Sequence, residues 1–80
     1  MEVRYVEWVD SLGSHGWDSL KEAREMRPMA IKSVGFVIAE DADYVTLLQS
    51  YDERASGEPQ GDHVTSIPTA AITKSRTLRK

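Results

Sequence analysis

The stretch that decides the fold runs from Ile31 to Tyr51 and reads IKSVGFVIAEDADYVTLLQSY. Its first arm, residues 31–39, is rich in Val, Ile and Phe, which suit a pleated, half-buried strand. Its second arm, residues 44–51, carries aromatic, β-branched and Leu residues, and the acidic residues 40–43 separate the two arms. Asp bonds readily to nearby backbone in turns. The stretch therefore predicts an antiparallel β-hairpin with a short acidic turn.

Both faces of this hairpin are partly apolar. Side chains alternate across a strand, so Val34, Phe36 and Ile38 share one face of the first arm. In the second arm, strict alternation puts Val45, Leu47 and Tyr51 on one face of the strand. It puts Tyr44, Thr46 and Leu48 on the opposite face. We expect one face to line the core and the other to lie under a loop or against a partner chain. Gly35 in mid-strand indicates a bulge, a bend or a close backbone approach.

Five strands are predicted in one domain that spans residues 1–80, and their bounds are 3–10, 29–39, 44–52, 63–67 and 72–78. One or two helical turns are expected after Ser19, which forms a capping-box pattern with Glu22. So short a helix is unstable alone, and its apolar stripe is expected to pack on the sheet. Pro68 is expected to end the fourth strand, because it has no amide hydrogen to donate, and one further helical turn precedes the last strand.

This order predicts a mainly β fold, a small five-stranded SH3-like barrel with a short helical turn in the first long connection. An OB-like barrel is the alternative, but that fold needs a helix between its third and fourth strands. Residues 53–63, ERASGEPQGDH, form a poor helix and are expected to be a mobile loop.

Length and composition limit how the chain gains stability. A chain of 80 residues buries only about 60% of its unfolded surface, and without cysteine no disulfide supports it. No apolar run approaches the roughly 20 residues that span a bilayer, and the start has no signal-peptide core. A soluble cytoplasmic protein without membrane contacts is expected, and association between chains would supply the missing burial.

The charges are unevenly distributed around a net charge of −3. Residues 40–62 hold seven acids and one base, whereas the last ten residues hold four bases and no acid. The simpler interpretation is a solvated acidic loop and a frayed basic tail. The alternative is a dipolar surface that orients a partner or pairs two copies. The acidic balance makes nucleic acid an unlikely partner.

No group of residues predicts catalysis, a metal or a cofactor. His15 and His63 lie in polar segments, and nothing places them beside Asp18, Asp62 or a serine as a catalytic set. The acids of the turn and Asp52 lack the spacing of a calcium-binding loop. We therefore expect a protein that is not an enzyme.

Aromatic side chains are the candidate partner-binding residues: Trp17, Tyr44 and Tyr51. SH3-like domains can grip extended peptides with exposed aromatic rings. For Trp17, which follows a glycine in the first long connection, the simpler interpretation is a ring that folds back to cap the barrel. Trp8 is expected to anchor the core or its rim.

Five short segments occur in order along the chain: Val6–Ser11, Gly16–Trp17, Ser33–Val37, Asp43–Leu47 and Ile67–Ile72. In that order they resemble small phage- and prophage-encoded proteins of unknown function with an SH3-like β-barrel. The resemblance implies a bacterial host cytoplasm and transfers no activity.

These observations favour a small, non-enzymatic binding protein that self-associates, most simply as a dimer. Two alternatives remain open. One is an inhibitor of a host protein that acts through the acidic 40–62 region, and the other is a weak nucleic-acid binder that uses the basic C-terminus.

Overall fold

The computed structural model describes residues 1–53 and 57–80, in which five strands form one antiparallel sheet. The elements are β1 Val3–Asp10, α1 Leu20–Glu25, β2 Met29–Glu40, β3 Tyr44–Asp52, β4 Gln60–Pro68, a 3-10 turn Thr69–Ala71, and β5 Ile72–Arg79. The strand order across the sheet is β4-β3-β2-β1-β5. The predicted mainly β fold is confirmed, as is the helical turn before the last strand.

The sheet is open. β2 is shared between two pairings, because residues 29–36 pair with β1 and residues 36–40 pair with β3. Over the described residues, β4 pairs only with β3 and β5 only with β1, so both are edge strands. The predicted closure into an SH3-like barrel is therefore not confirmed.

Local signals explain most element boundaries. In the acidic turn, the Asp41 Oδ1 atom accepts hydrogen bonds from the backbone N–H groups of Asp43 at 2.7 Å and Tyr44 at 3.1 Å. The Ser19 hydroxyl accepts from the N–H of Glu22 at 3.1 Å and so begins α1 as the capping pattern predicts. β4 ends at Pro68, as expected.

Two predictions about the second half of the chain need correction. β4 begins at Gln60 rather than His63, so the last residues of the predicted 53–63 loop belong to a strand. The rest of that prediction falls partly on residues 54–56, which lie outside the described residues. The C-terminus is not a frayed tail, because β5 continues to Arg79, which pairs with Val3 of β1.

The core is small and lies on the inner face of the bent sheet. Its buried members come from three strands: Val6, Val45, Leu47 and Ile67. Trp8 packs against this cluster while half-buried, and its indole Nε1–H donates to the Ser33 hydroxyl at 3.0 Å. The expectation that Trp8 anchors the core rim is confirmed.

Gly35 lies where β2 passes from one pairing to the other. A Cβ atom at this position would lie 3.0 Å from the Leu47 Cβ and 3.1 Å from the Leu48 carbonyl oxygen. Both atoms belong to β3 at or next to its backbone, so neither can swing away. The predicted close backbone approach is confirmed, and it allows β2 to bend over β3.

We expect Gly35→Ala to lower the free energy of unfolding by about 1–3 kcal/mol, because the added methyl group forces β2 and β3 apart. Urea unfolding at a fixed protein concentration measures this change. Gly13→Ala is the matched control, since a Cβ there meets nothing within 4 Å and should be neutral. Equal stability of the two variants would contradict the role given to Gly35.

Candidate functional site

A row of apolar side chains crosses four strands on the face opposite the core. Val3 pairs with Phe36, Phe36 with Leu48, and Leu48 with Val64. Directly paired residues of antiparallel strands project to the same side of the sheet. With their neighbours they form what we call the outer apolar face: Val3, Val34, Phe36, Ile38, Leu48, Tyr51 and Val64.

Much of this face is in contact with solvent. Val34 and Val64 are 57% and 58% exposed, and Ile38 is 44% exposed. Single exposed apolar residues are ordinary, whereas a contiguous apolar patch indicates an interaction surface. The expectation that both faces of the hairpin are apolar is thus confirmed.

One end of the outer apolar face contains a groove of about 410 Å³, which we call the apolar groove. Ile38, Leu48, Tyr51 and Val64 line it, and the Tyr51 ring meets Phe36 edge-on with ring centroids 4.9 Å apart. Gly61 leaves room for the Leu48 side chain, because a Cβ there would lie 2.6 Å from the Leu48 Cδ1 atom. The Leu48 side chain fills that space and forms the buried floor.

Tyr51 lies on the outer side of the sheet, and the prediction that it shares a face with Val45 and Leu47 is wrong. The ladder between β3 and β4 lacks a pair between Gln49 and His63, and His63 has a φ of 56°. That left-handed backbone interrupts strict alternation. The side chain of Tyr51 meets Phe36 on the outer side.

The three candidate aromatic residues do not form one site. Tyr44 and Tyr51 stand at opposite ends of β3, about 23 Å apart at 3.3 Å per residue. Trp17 lies in the first long connection and is fully exposed. Of the three, only Tyr51 lines the apolar groove.

Residues 11–28 form a projecting segment that we call the arm. All of its residues are exposed except the half-buried Met26, and α1 contains no buried residue. The prediction that the apolar stripe of α1 packs on the sheet is wrong, since Leu20 is 70% exposed. The cap interpretation of Trp17 is wrong for the same reason: its ring covers no part of its own chain.

The best-defined charged cluster is structural. The Arg4 guanidinium makes two hydrogen bonds to the Glu2 carboxylate, the shorter at 2.7 Å, and two to the Glu40 carboxylate, the shorter at 2.6 Å. These bonds hold the end of β2 against the start of β1. Arg4 hydrogen bonds keep the pKa of Glu2 and of Glu40 below the ordinary value, and they raise the pKa of Arg4.

The basic residues of β5 border the outer apolar face. Pairing sets Arg76 opposite Tyr5 and Arg79 opposite Val3, and the Arg76 guanidinium lies 5.8 Å from the Tyr5 ring centroid. The Tyr5 hydroxyl donates to Glu7 at 2.6 Å, which raises the pKa of Tyr5. These bases are therefore spread along a paired strand and do not form a free cluster.

The histidines and acids considered for catalysis or metal binding do not converge. His63 lies 2.9 Å from its neighbour Asp62, and both side chains are exposed. His15 lies on the arm, where Asp18 accepts a hydrogen bond from Ser14. Glu40 is engaged by Arg4, and Asp41 caps the turn. The described ranges contain no group of three or more His, Cys, Asp or Glu residues that could hold a metal ion.

No family model, no curated protein and no solved structure matches this chain. Among the described residues, no helix has the length and apolar character needed to cross a membrane.

The Arg4 cluster predicts a dependence of stability on pH. The folded-state pKa values of Glu2 and Glu40 lie below the ordinary 4.5, so their contribution is present above that pH and is lost as the pH falls. We expect Arg4→Met to melt at a lower temperature than the wild type near neutral pH. The difference should shrink as the pH falls below 4.5 and the carboxyl groups of Glu2 and Glu40 become protonated.

Thermal unfolding at a series of pH values measures this effect. Arg24→Met, which removes an exposed cation of α1, is the control and should melt like the wild type throughout. A difference between Arg4→Met and the wild type that stays constant down to low pH would show that packing of the arginine stem, rather than its ion pairs, stabilises the chain.

Proposed function

We propose that this protein is a non-enzymatic interaction protein that works as a homodimer, with the outer apolar face as its contact surface. The observation that carries the proposal is the outer apolar face, on which Val34, Ile38 and Val64 are exposed in the single chain. Soluble proteins rarely leave so continuous a surface uncovered.

The area that the chain exposes in excess of a compact monomer agrees with the size of a dimer interface. The chain exposes 6408 Å², whereas a folded monomer of 9.0 kDa exposes about 4,850 Å². The excess of roughly 1,550 Å² lies within the range of about 1,000–2,500 Å² that each partner buries in an obligate dimer. The radius of gyration of 16.5 Å, against about 12 Å for a compact domain of this length, agrees with the same conclusion.

The fold supports a finer assignment as part of this proposal. The strand order, the shared β2 and the helical turn before β5 favour an open form of the SH3-like barrel. Together with the sequence resemblance, this extends the proposal to a phage- or prophage-encoded protein in a bacterial cytoplasm. Partners of the dimer would then be proteins bound at its surface, and the genes beside the coding sequence test this origin.

The acidic 40–62 region receives less support as a binding site for a host protein. The carboxylates of Glu40 and Asp41 already bond within the chain, so two of the acids counted from the sequence are occupied. A contact made by the outer apolar face would also respond to salt differently from a contact made by the acidic 40–62 region. Apolar burial persists at about 1 M salt, whereas attraction between exposed charges is screened.

Sedimentation equilibrium tests the dimer. We expect the wild type to sediment as a dimer at micromolar concentration in both low and high salt. Ile38→Asp should raise the dimer dissociation constant at least tenfold, because it places an unpaired charge in an apolar contact. Met29→Asp is the control: Met29 is similarly exposed on the same strand, but it stands at the end remote from Ile38. A monomeric wild type would overturn the proposal.

A further inference from the structure

We infer that Trp17 on the arm of each chain docks in the apolar groove of a second copy, so that the dimer forms by reciprocal exchange of arms. This inference rests on the proposed self-association and names the contact that produces it.

The arm lacks a partner within its own chain. Trp17 is fully exposed, and Leu12 and Leu20 on either side of it are 48% and 70% exposed. α1 has only six residues, too few to be stable in water without packing against another element. A docked arm would gain both the burial of its apolar side chains and support for this helix.

The apolar groove has the volume, the apolar lining and the hydrogen-bond acceptors that an indole ring requires. Its volume of about 410 Å³ is lined mainly by aliphatic and aromatic side chains. A buried Trp contributes 150–250 Å² of contact area, and its N–H requires an acceptor. Glu53 and Gln60 line the same groove and carry side-chain oxygens suited to accept that hydrogen bond.

The geometry favours the groove of a second copy over the groove of the same chain. The arm begins beyond the Asp10–Met29 pair, whereas the groove begins at Ile38, about 30 Å further along β2 at 3.3 Å per residue. Trp17 follows Asp10 by seven residues, which span at most about 25 Å when fully extended. The arm would have to straighten and double back along β2 to approach its own groove.

In a dimer with a two-fold axis, each chain can dock its arm in the groove of the other. Each copy offers one arm and one groove, and the molecule is 56 Å long with the two features at separate ends of β2. Two antiparallel copies therefore place each arm beside the groove of the other, and the contact closes without leaving an unpaired arm.

Disulfide trapping tests the contact directly, since the natural chain contains no cysteine and background cross-links do not arise. One batch carries Asp18→Cys, beside the retained Trp17, and a second, isotopically labelled batch carries Gln60→Cys at the groove. After mixing and mild oxidation, we expect a disulfide between labelled and unlabelled chains. Asp18→Cys mixed with Lys74→Cys, on β5, is the control pair and should cross-link at least tenfold more slowly.

Fluorine NMR of the protein labelled with 5-fluorotryptophan gives a second readout. Trp8 and Trp17 give one resonance each, and Trp17→Phe assigns them. We expect the Trp17 resonance to lose its solvent isotope shift at concentrations where the dimer forms and to regain it on dilution. Trp17→Ala should raise the dimer dissociation constant at least tenfold. It should leave the fold of the monomer unchanged, because the ring contacts nothing in its own chain.

The outcomes separate this inference from the proposed function. A dimer whose Trp17 stays solvent-exposed, or whose 18–60 cross-link forms no faster than the control, overturns the arm exchange and leaves self-association standing. A monomer with an exposed Trp17 overturns both. A monomer in which Trp17 is protected places the arm in its own groove and also overturns the exchange.

Discussion

The bend of β2 at Gly35 is the constraint on which the rest of this structure depends. The backbone there approaches Leu47 so closely that even a methyl group would press the two strands apart. This close approach lets one strand pair with β1 along its first part and with β3 along its second. The inner face can then curl around its small core. The Arg4 ion pairs with Glu2 and Glu40 hold the end of β2, beyond the bend, against the start of β1.

This bend makes a small inner core and leaves a large outer surface. Strands that are apolar on both sides can bury only one side when they curl into a single sheet. The other side keeps apolar side chains in contact with water, namely Val34, Ile38 and Val64. The described residues form no second layer over these side chains, and the dimer proposed above would supply one.

The same reasoning underlies the proposed binding role. Where polar side chains meet, each contact has a structural use: Arg4 joins two strands, Asp41 shapes a turn, and Ser19 begins a helix. The features without a structural use are apolar, namely the outer apolar face, its groove and the ring of Trp17. Apolar surfaces contribute to association, which is why we propose an interaction protein.

The sequence by itself determined the features that depend on neighbours within a few residues. Alternation predicted the strands, acidic residues predicted the turn, and a serine three residues before a glutamate predicted the start of α1. Only the tertiary structure decided that the sheet stays open, that Tyr51 turns to the outer side, and that the arm leaves the sheet. Gly35 signalled a bend or a close approach from the sequence, but only the structure decided that it lies against Leu47 and Leu48 of β3. The left-handed backbone at His63 gave no such signal in the residue pattern of its strand.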